Sequence, residues 1–446
     1  MSNPLSKTSN SLLSGGLTGM LATMVASRAN AEDAVVAAAK TLNSGDTAWV
    51  IVSAALILLM TIPGIALFYA GLVRRDNVLT TVMQSFAVCC LVGVLWPLIG
   101  YSLAFTGNSA FIGGLDLLML QNLPLDRLKD TIPELAYIIQ QGAFAAIAVA
   151  IILGSVADRI KFSAVVVFSS LWLLLVYCPV AHWVWHPAGL FTAHGGLFGL
   201  GAAIDFAGGT VIHINAGIAG LVMSLVIGRR LPTVSQDMPY SIIFSVIGAS
   251  FLWIGWFGFN GGSALTSSAL AANAILVTNA CASMCALAWM LIETIHRGKP
   301  SVIGALTGAV SGLVCITPAA GYVTFTSSLF MAIIAAVFCY WAVHILKKQL
   351  KYDDSLDVFG VHGIAGILGG FLVGIFATKD INSVAGLLEG NSPQIWAQIL
   401  SMLVTIIYSG IATYIICKVT EALVGLRVSA ETEKRGLDMD LHGETV

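Results

Sequence analysis

The chain has 446 residues, of which 57% are hydrophobic and only 10% charged, with a formal net charge of −2. A soluble globular chain carries about 25% charged residues, so this composition excludes a soluble enzyme, a disordered chain and a nucleic-acid binder. It leaves a polytopic membrane protein with the bilayer as solvent, and the 45 glycines favour a tight helical bundle, because small residues let helices approach closely in lipid.

Residues 1–31 read as a secretory signal peptide. Lys7 precedes a moderately apolar run from Ser11 to Ala26, and Ala29-Asn30-Ala31 is an A-x-A cleavage pattern ahead of Glu32-Asp33. The alternative is an uncleaved N-terminus, since three Gly and two Thr make the run too weak for a span. Eleven apolar segments follow, at about 48–73, 78–105, 133–156, 162–183, 209–228, 239–260, 272–296, 301–320, 324–347, 358–377 and 396–418. Spans near 20 residues are helices, not strands of a barrel. The fold class is therefore an all-α polytopic membrane protein with eleven transmembrane helices in a domain over 46–418, followed by a tail over 419–446. The eight cysteines all lie in apolar stretches without a C-x-x-C pair and read as small hydrophobes.

The polar breaks orient the chain. With the mature N-terminus outside, the inner loops hold Arg74, Arg75, Arg159, Lys161, Arg229, Arg230, Arg297, Lys299, Lys347, Lys348 and Lys351. The outer segments hold only Lys40, Arg127, Lys129 and Lys379. Positive residues collect on the cytoplasmic side, and an odd span count then puts the C-terminus inside. Asp158 and Glu293 fall at inner helix ends and read as loop-side ion-pair residues.

Two segments repeat. His213 lies in His-Ile-Asn-Ala-Gly-Ile-Ala-Gly and His362 in His-Gly-Ile-Ala-Gly-Ile-Leu-Gly, sharing Gly at +4, Ile at +5 and Gly at +7. Each has an Asp and a Phe upstream: Asp205 and Phe206, then Asp357 and Phe359. The offset is five spans, an odd number, so spans 1–5 and 6–10 form an inverted repeat with span 11 added. Such repeats carry their site near the midplane on a pseudo-two-fold axis. Two histidines in matched contexts inside apolar helices, where polar groups are costly, point to function more than to core packing. A neutral imidazole has one donor and one acceptor, so two rings can share one proton between facing nitrogens. Each then keeps one nitrogen for a ligand. Two histidines without a third ligand make a poor zinc site, and no cofactor is implied.

With these residues the chain resembles the ammonium transporter family (Amt/Mep/Rh), and its bacterial members most. The resemblance runs from about Asp46 to the C-terminus. It rests on Thr61-Ile-Pro-Gly-Ile-Ala-Leu-Phe-Tyr69 with Gly71-Leu-Val-Arg74, on Asp205-Phe-Ala-Gly-Gly-Thr-Val-Ile-His213, and on Gly255-Trp-Phe-Gly-Phe-Asn-Gly-Gly-Ser263. Asp357-Val-Phe-Gly-Val-His362 and the tail motif Gly425-Leu-Arg-Val-Ser429 complete it. The resemblance implies a homotrimer in the bacterial inner membrane with one narrow apolar pore per subunit. It implies that His213 and His362 are the paired pore histidines, and that Phe144 and Phe259 are a stacked aromatic gate above them. Trp185 and Ser263 match the outer site that recruits the cation, with Trp256 and Tyr177 nearby. Phe68 and Tyr69 match pore-side aromatics of span 1, and Asp205 matches an acid near the top of span 5. Gln140 stands where the family's outer site has a third aromatic.

The residue types suit that chemistry. A Trp face attracts a cation by about 0.5–2 kcal/mol, and a Ser hydroxyl accepts an N–H. A hydrophobic constriction blocks hydrated ions, so potassium stays out, whereas ammonium can give up a proton and cross as ammonia past the imidazoles. A buried full charge costs far more. The residues alone do not decide between ammonia crossing alone and ammonia crossing with a proton by way of the twin His, and net electrogenic movement is the reading favoured. Asp205 is read either as a second pole for the cation or as an N-cap of span 5, with the cap preferred. The alternatives in other classes are an ammonium sensor, for which the tail is short, a symporter, which lacks a midplane carboxylate, and an enzyme, which lacks a nucleophile. An Rh-like neutral gas channel is the alternative within the same fold. The resemblance also implies a cytoplasmic PII signalling protein as partner at the basic inner loops, Arg74-Arg75 and Lys347-Lys348, with the tail packed across them.

Overall fold

The computed structural model describes residues 41–192, 201–234 and 238–446; the predicted signal peptide lies outside them. All eleven apolar segments are helices: α1 Ser44–Leu72, α2 Arg75–Phe105, α3 Glu134–Val156, α4 Phe162–Trp185, α5 Gly209–Ile227, α6 Ile242–Gly262, α7 Ala269–Arg297, α8 Val302–Ile316, α9 Phe325–Leu350, α10 Phe359–Phe376 and α11 Pro393–Val424. Among the described residues ten of these are long and apolar enough to cross a bilayer. The exception is α8, whose 15 residues span about 22 Å at 1.5 Å per residue. The last helix outruns its predicted end at 418 by nearly two turns. Side-chain caps set several starts. Ser241 Oγ accepts from Phe244 N (3.3 Å) and Ser301 Oγ from Gly304 N (3.0 Å), each satisfying one of the N–H groups a helix start leaves orphaned.

Small residues set how the helices meet. On α6, a Cβ added at Gly258 or Gly262 would press on Leu56 or Ser53 of α1 at 2.6 and 2.5 Å, and one at Gly248 or Gly255 would collide with Phe68 or Met60. One face of α6 is thus glycine where it lies along α1, and backbone-to-backbone approach replaces side-chain interdigitation. Exposed apolar side chains such as Val94, Ile139, Ile243, Leu291 and Ile411 form the outer surface of the bundle.

The inverted repeat is visible in reciprocal contacts. Gly217, at +4 from His213, lies so close to Gly363, at +1 from His362, that a Cβ would collide with its backbone. Gly366, at +4 from His362, faces Ile214, at +1 from His213, with Ile214 N 3.1 Å from its Cβ position. The same exchange occurs seven residues before each His. Phe206 N donates to Pro318 O just after α8, and Ser355 N donates to Ser155 O at the end of α3, both at 3.1 Å. The halves therefore cross over one another at α5 and α10.

The acids upstream of the histidines pair differently from the sequence reading. Asp205 and Asp354, not Asp357, occupy the same offset of eight residues. Asp354 is fully buried, and its Oδ2 accepts from Phe359 N at 2.8 Å, at the start of α10. Asp357 has a left-handed φ of 59°, which turns its carboxylate away to Lys347 Nζ at 2.7 Å.

The tail is docked, not solvated. Two short helices, α12 Ala430–Arg435 and α13 Leu437–His442, follow α11. Asp438 caps α2 by accepting from Leu79 N (3.0 Å) and Thr80 N (2.8 Å), and Leu437 N donates to Asn77 Oδ1 (2.8 Å). Glu433 is buried, pairs with Arg427 at 2.8 Å and accepts from Leu231 N at 2.7 Å. Arg74 and Arg75 reach carbonyls of Lys434 and Val446, both at 2.8 Å.

Candidate functional site

Both histidines sit in the first turn of their helices, where the backbone is wound wider than an α-helix: Gly209–Ile214 in α5 and Phe359–Gly363 in α10. Such turns rotate side chains out of the regular 3.6-residue register and recur at functional sites. The glycine crossing brings the rings together. His213 Nδ1 and His362 Nδ1 are 3.2 Å apart, with ring centroids 5.3 Å apart and planes tilted by 19°. Both residues are buried. An Nδ1–Nδ1 contact requires one ring to donate and the other to accept, so the two neutral rings hold opposite tautomers. His213 Nε2 has no partner among the described residues and is left for a guest.

A continuous file of rings leads to this pair from the end of the bundle opposite the tail. Trp185 lies 6.1 Å from Phe144, Phe144 4.6 Å from Phe259, and Phe259 5.8 Å from His213, centroid to centroid. The Phe144–Phe259 pair is edge-to-face at 71° rather than parallel, the geometry that aromatic quadrupoles prefer. Both rings are buried. At the head of the file, Trp185 Nε1 donates to Asp205 O (2.9 Å) and Ser263 Oγ donates to Phe259 O (2.9 Å). With its proton so engaged, the Ser263 oxygen presents only lone pairs.

Two residues grouped with that outer pair lie elsewhere. Trp256 packs beyond Phe259, stacked on His213 at 5.4 Å and 19°, with Nε1 donating to Thr317 Oγ1 at 2.9 Å. It lies one turn before Phe259 on α6, which moves it one turn toward the tail. Tyr177 is buried against Trp96 (6.0 Å) and Trp172 (6.4 Å) and makes no ring contact with Trp185 among the described residues. Gln140 is fully buried one turn before Phe144, and neither of its amide atoms finds a partner among the described residues.

On the tail side of the histidines the path narrows and then opens. Phe68, Tyr69, Ile147, Trp256, Val310 and His362 are among the residues around a void of about 10 Å³, roughly one water molecule with almost entirely apolar walls. Phe68 and His362 also line the next cavity, about 180 Å³, which reaches Ser355 and Asp357. Tyr69 is held by its hydroxyl on Ile151 O at 3.1 Å.

Asp205 Oδ1 accepts from Gly208 N (2.9 Å) and Gly209 N (2.5 Å), and its Oδ2 from Thr210 N (2.9 Å) and Val211 N (3.0 Å). Those are the orphan donors of α5, so the carboxylate caps the helix that carries His213.

The loops on the tail side are locked by charge. Arg230 pairs with Asp158 (3.0 Å) and Asp353 (2.8 Å). Burial alone would raise the Asp353 carboxyl, but the Arg230 guanidinium outweighs it and holds the group well below the usual carboxylate range. Arg159, read from sequence as one loop charge among many, is fully buried. Its guanidinium bonds Gly228 O (3.0 Å), Ser355 Oγ (2.6 Å) and Asp353 O (2.5 Å), tying the ends of α3 and α5 to the segment before α10. Burial pulls it down to about 10, still charged at neutral pH. Glu293 pairs with Arg297 at 3.0 Å. No single-sequence signal singled out Arg159, because the groups that hold it at Gly228, Asp353 and Ser355 are distant in the chain and none of them is an acidic side chain.

A helical inverted repeat with a histidine pair at the crossing, approached through a file of aromatic rings, defines a polytopic membrane protein with a narrow, mostly apolar path. The comparisons specify it further. Residues 48–446 match the Ammonium Transporter Family. A putative ammonium transporter of Methanothermobacter thermautotrophicus is 47% identical over 91% of this chain and 98% of its own. An ammonium transporter of Bacillus subtilis is 44% identical over 90% and 98%. Among solved structures, Candida albicans Mep2 superposes with a TM-score of 0.80 at 32% identity, covering 88% of each chain. A protein described as a sensor Amt protein gives 0.80 at 26% identity, over 89% of this chain and 98% of that one. The chain belongs to the ammonium transporter family, a family of transporters.

Proposed function

We propose that the chain recruits ammonium at Trp185 and Ser263, strips a proton from it, and conducts ammonia past Phe144 and Phe259 to the His213–His362 pair and on to the tail side. The observation that carries this is the 3.2 Å Nδ1–Nδ1 contact, set between a closed aromatic pair and an apolar void of about 10 Å³. A Trp face and a hydroxyl oxygen whose own proton is already bonded attract a small cation with N–H groups. Beyond the two phenylalanines a full charge would be desolvated without a partner, so the neutral base is the species that passes. The shared proton between the rings offers a route for the proton, and net charge movement is the form we favour.

The excess of basic residues in the tail-side loops supports a cytoplasmic tail and eleven crossings, with α8 as a short one. The exposed apolar surface supports a homotrimer in a bacterial inner membrane. The docked tail supports a PII-type partner that reads the tail and its loops together, because Arg74 and Arg75 already hold tail carbonyls. Deleting residues after Val424 is then expected to lower transport with the pore residues intact, and to weaken retention of the PII protein.

The deciding experiment is the current of proteoliposomes on a solid-supported membrane, with ammonium and then potassium pulses. The expected result is an ammonium current, no potassium current, and loss of flux or of selectivity in His213→Ala and His362→Ala. Unchanged uptake and unchanged exclusion in both variants would remove the histidines from the path. The likeness to a sensor Amt protein gives a second reading, sensing. Saturable ammonium binding with no flux at all in the same liposomes would favour it.

A further inference from the structure

Most basic side chains on the tail side of the bundle are spoken for. Arg230 holds two aspartates and Arg427 holds Glu433. Arg159 and Lys161 bond carbonyls, and Arg297 pairs with Glu293. Of the cations without an acidic partner among the described residues, three converge on one place. Arg229, Lys348 and Lys351 line a cavity of about 460 Å³ together with Lys347, His344 and Tyr352. Its one carboxylate, Asp357, is already bonded to Lys347 at 2.7 Å. Among the described residues the side chains of Arg229, Lys348 and Lys351 have no acidic partner. The lining thus carries three uncompensated positive charges around a space large enough for a small anion.

Such an arrangement raises the energy of the empty cavity by like-charge repulsion, and bound negative charge relieves it. A guanidinium fork and two ammonium groups approaching from different elements suit a tetrahedral group with oxygens pointing in several directions better than a flat carboxylate. The cavity also sits where one face of α9 meets water. Phe338, Trp341 and Ile345 are exposed along α9, and their spacing of three and four residues leads to Lys348 on the same face. On α5, exposed Leu225 lies one turn before Arg229. Exposed apolar stripes that run into a basic pocket between helix ends are an arrangement that suits an anionic headgroup.

We propose that the cavity of Arg229, Lys348 and Lys351 is a binding site for a phosphate group, presented by an anionic phospholipid or free in solution. This inference is independent of the transport reading, because its test measures binding and not flux.

The test titrates the full-length purified protein in neutral detergent with dioleoyl phosphatidylglycerol, with dioleoyl phosphatidylcholine, and separately with inorganic phosphate. Bound lipid is counted by native mass spectrometry, and bound phosphate by phosphorus NMR. The comparison set is wild type, the triple variant Arg229→Gln, Lys348→Gln, Lys351→Gln, and Lys299→Gln as an exposed cation outside the cavity. Phosphatidylglycerol is expected to bind ahead of phosphatidylcholine, and the triple variant to bind it about tenfold or more weakly, with Lys299→Gln at wild-type strength. If only the lipid shows this dependence, the phosphate is a headgroup; if inorganic phosphate shows it and competes with the lipid, the phosphate is a soluble one. Equal binding of each probe to wild type and the triple variant, or no binding of either probe, overturns the proposal. Among the described residues the three side chains make no hydrogen bond or ion pair, so the triple variant is expected to fold; should it not, Lys348→Gln alone against Lys299→Gln decides in the same assay.

Discussion

Removing the Asp205 carboxylate separates a structural role from a role in attracting the cation. In Asp205→Ala the four N–H groups of Gly208, Gly209, Thr210 and Val211 lose the acceptor they now share. They are buried, so water replaces few of those bonds. At a lower bound of about 1 kcal/mol for each orphaned donor the loss is about 4 kcal/mol, well above the ~0.5–2 kcal/mol of an ordinary N-cap and a large share of the ~5–15 kcal/mol of a typical fold. Asp205→Asn keeps one oxygen and turns an NH₂ toward two of the donors, so about half of that loss is expected, about 2 kcal/mol. The assay is denaturant unfolding in mixed micelles followed by tryptophan fluorescence, beside ammonium current in liposomes. Stability is expected to fall in the order wild type, Asn, Ala, with current falling only as folded protein falls. Wild-type stability in Asp205→Ala together with an abolished current would refute the cap and make Asp205 a pole for the cation.

Three further outcomes are expected. Phe259→Ala removes half of a buried edge-to-face pair, at about 3–5 kcal/mol, and should admit water and potassium to the path; a liposome trace as potassium-tight as wild type would count against the aromatic barrier. Gly217→Ala drives a methyl into the Gly363 backbone, costing about 1–3 kcal/mol and moving the rings apart, so ammonium flux should drop with both histidines present; normal flux and normal melting would show that the crossing does not set the pair. Asp353, held low by Arg230, stabilises the tail-side loops above the ordinary carboxylate pKa of about 4, and that contribution is lost as pH falls below it toward the depressed folded value. Amide protection at residues 229–231, taken relative to the intrinsic exchange rate at each pH, should therefore fall as pH is lowered below about 4 in wild type and be already low in Asp353→Asn, and equal protection profiles in the two proteins would contradict this.

The spans, the repeat and the twin histidines were legible because each is a local or periodic property. A run of about 20 apolar residues is long enough to cross a bilayer whatever it packs against, and Gly at +4 and +7 marks the same helix face in both halves. The match of Asp205 to Asp354 was legible too, at an equal offset of eight, but the nearer Asp357 masked it. What sequence could not decide is which faces meet. Trp256 and Trp185 are both tryptophans beside the aromatic file, yet one stacks on His213 and the other meets Phe144 at a tilt, because the crossing of α5, α6 and α10 fixes their depth.

The tail shows the same division. Its motif is plain in the sequence, and its charged run looks like a solvated end. Only the tertiary structure buries Glu433 and Asp438 against Arg427 and the start of α2. Arg159 likewise counts as one more positive loop residue until the chain is folded. Hydropathy is summed along the chain, so the sequence by itself determined what lies in the membrane. Hydrogen bonds and ion pairs join residues up to hundreds of positions apart, so only the packed helices decided which charges are spent on structure and which, like Arg229, Lys348 and Lys351, are left over.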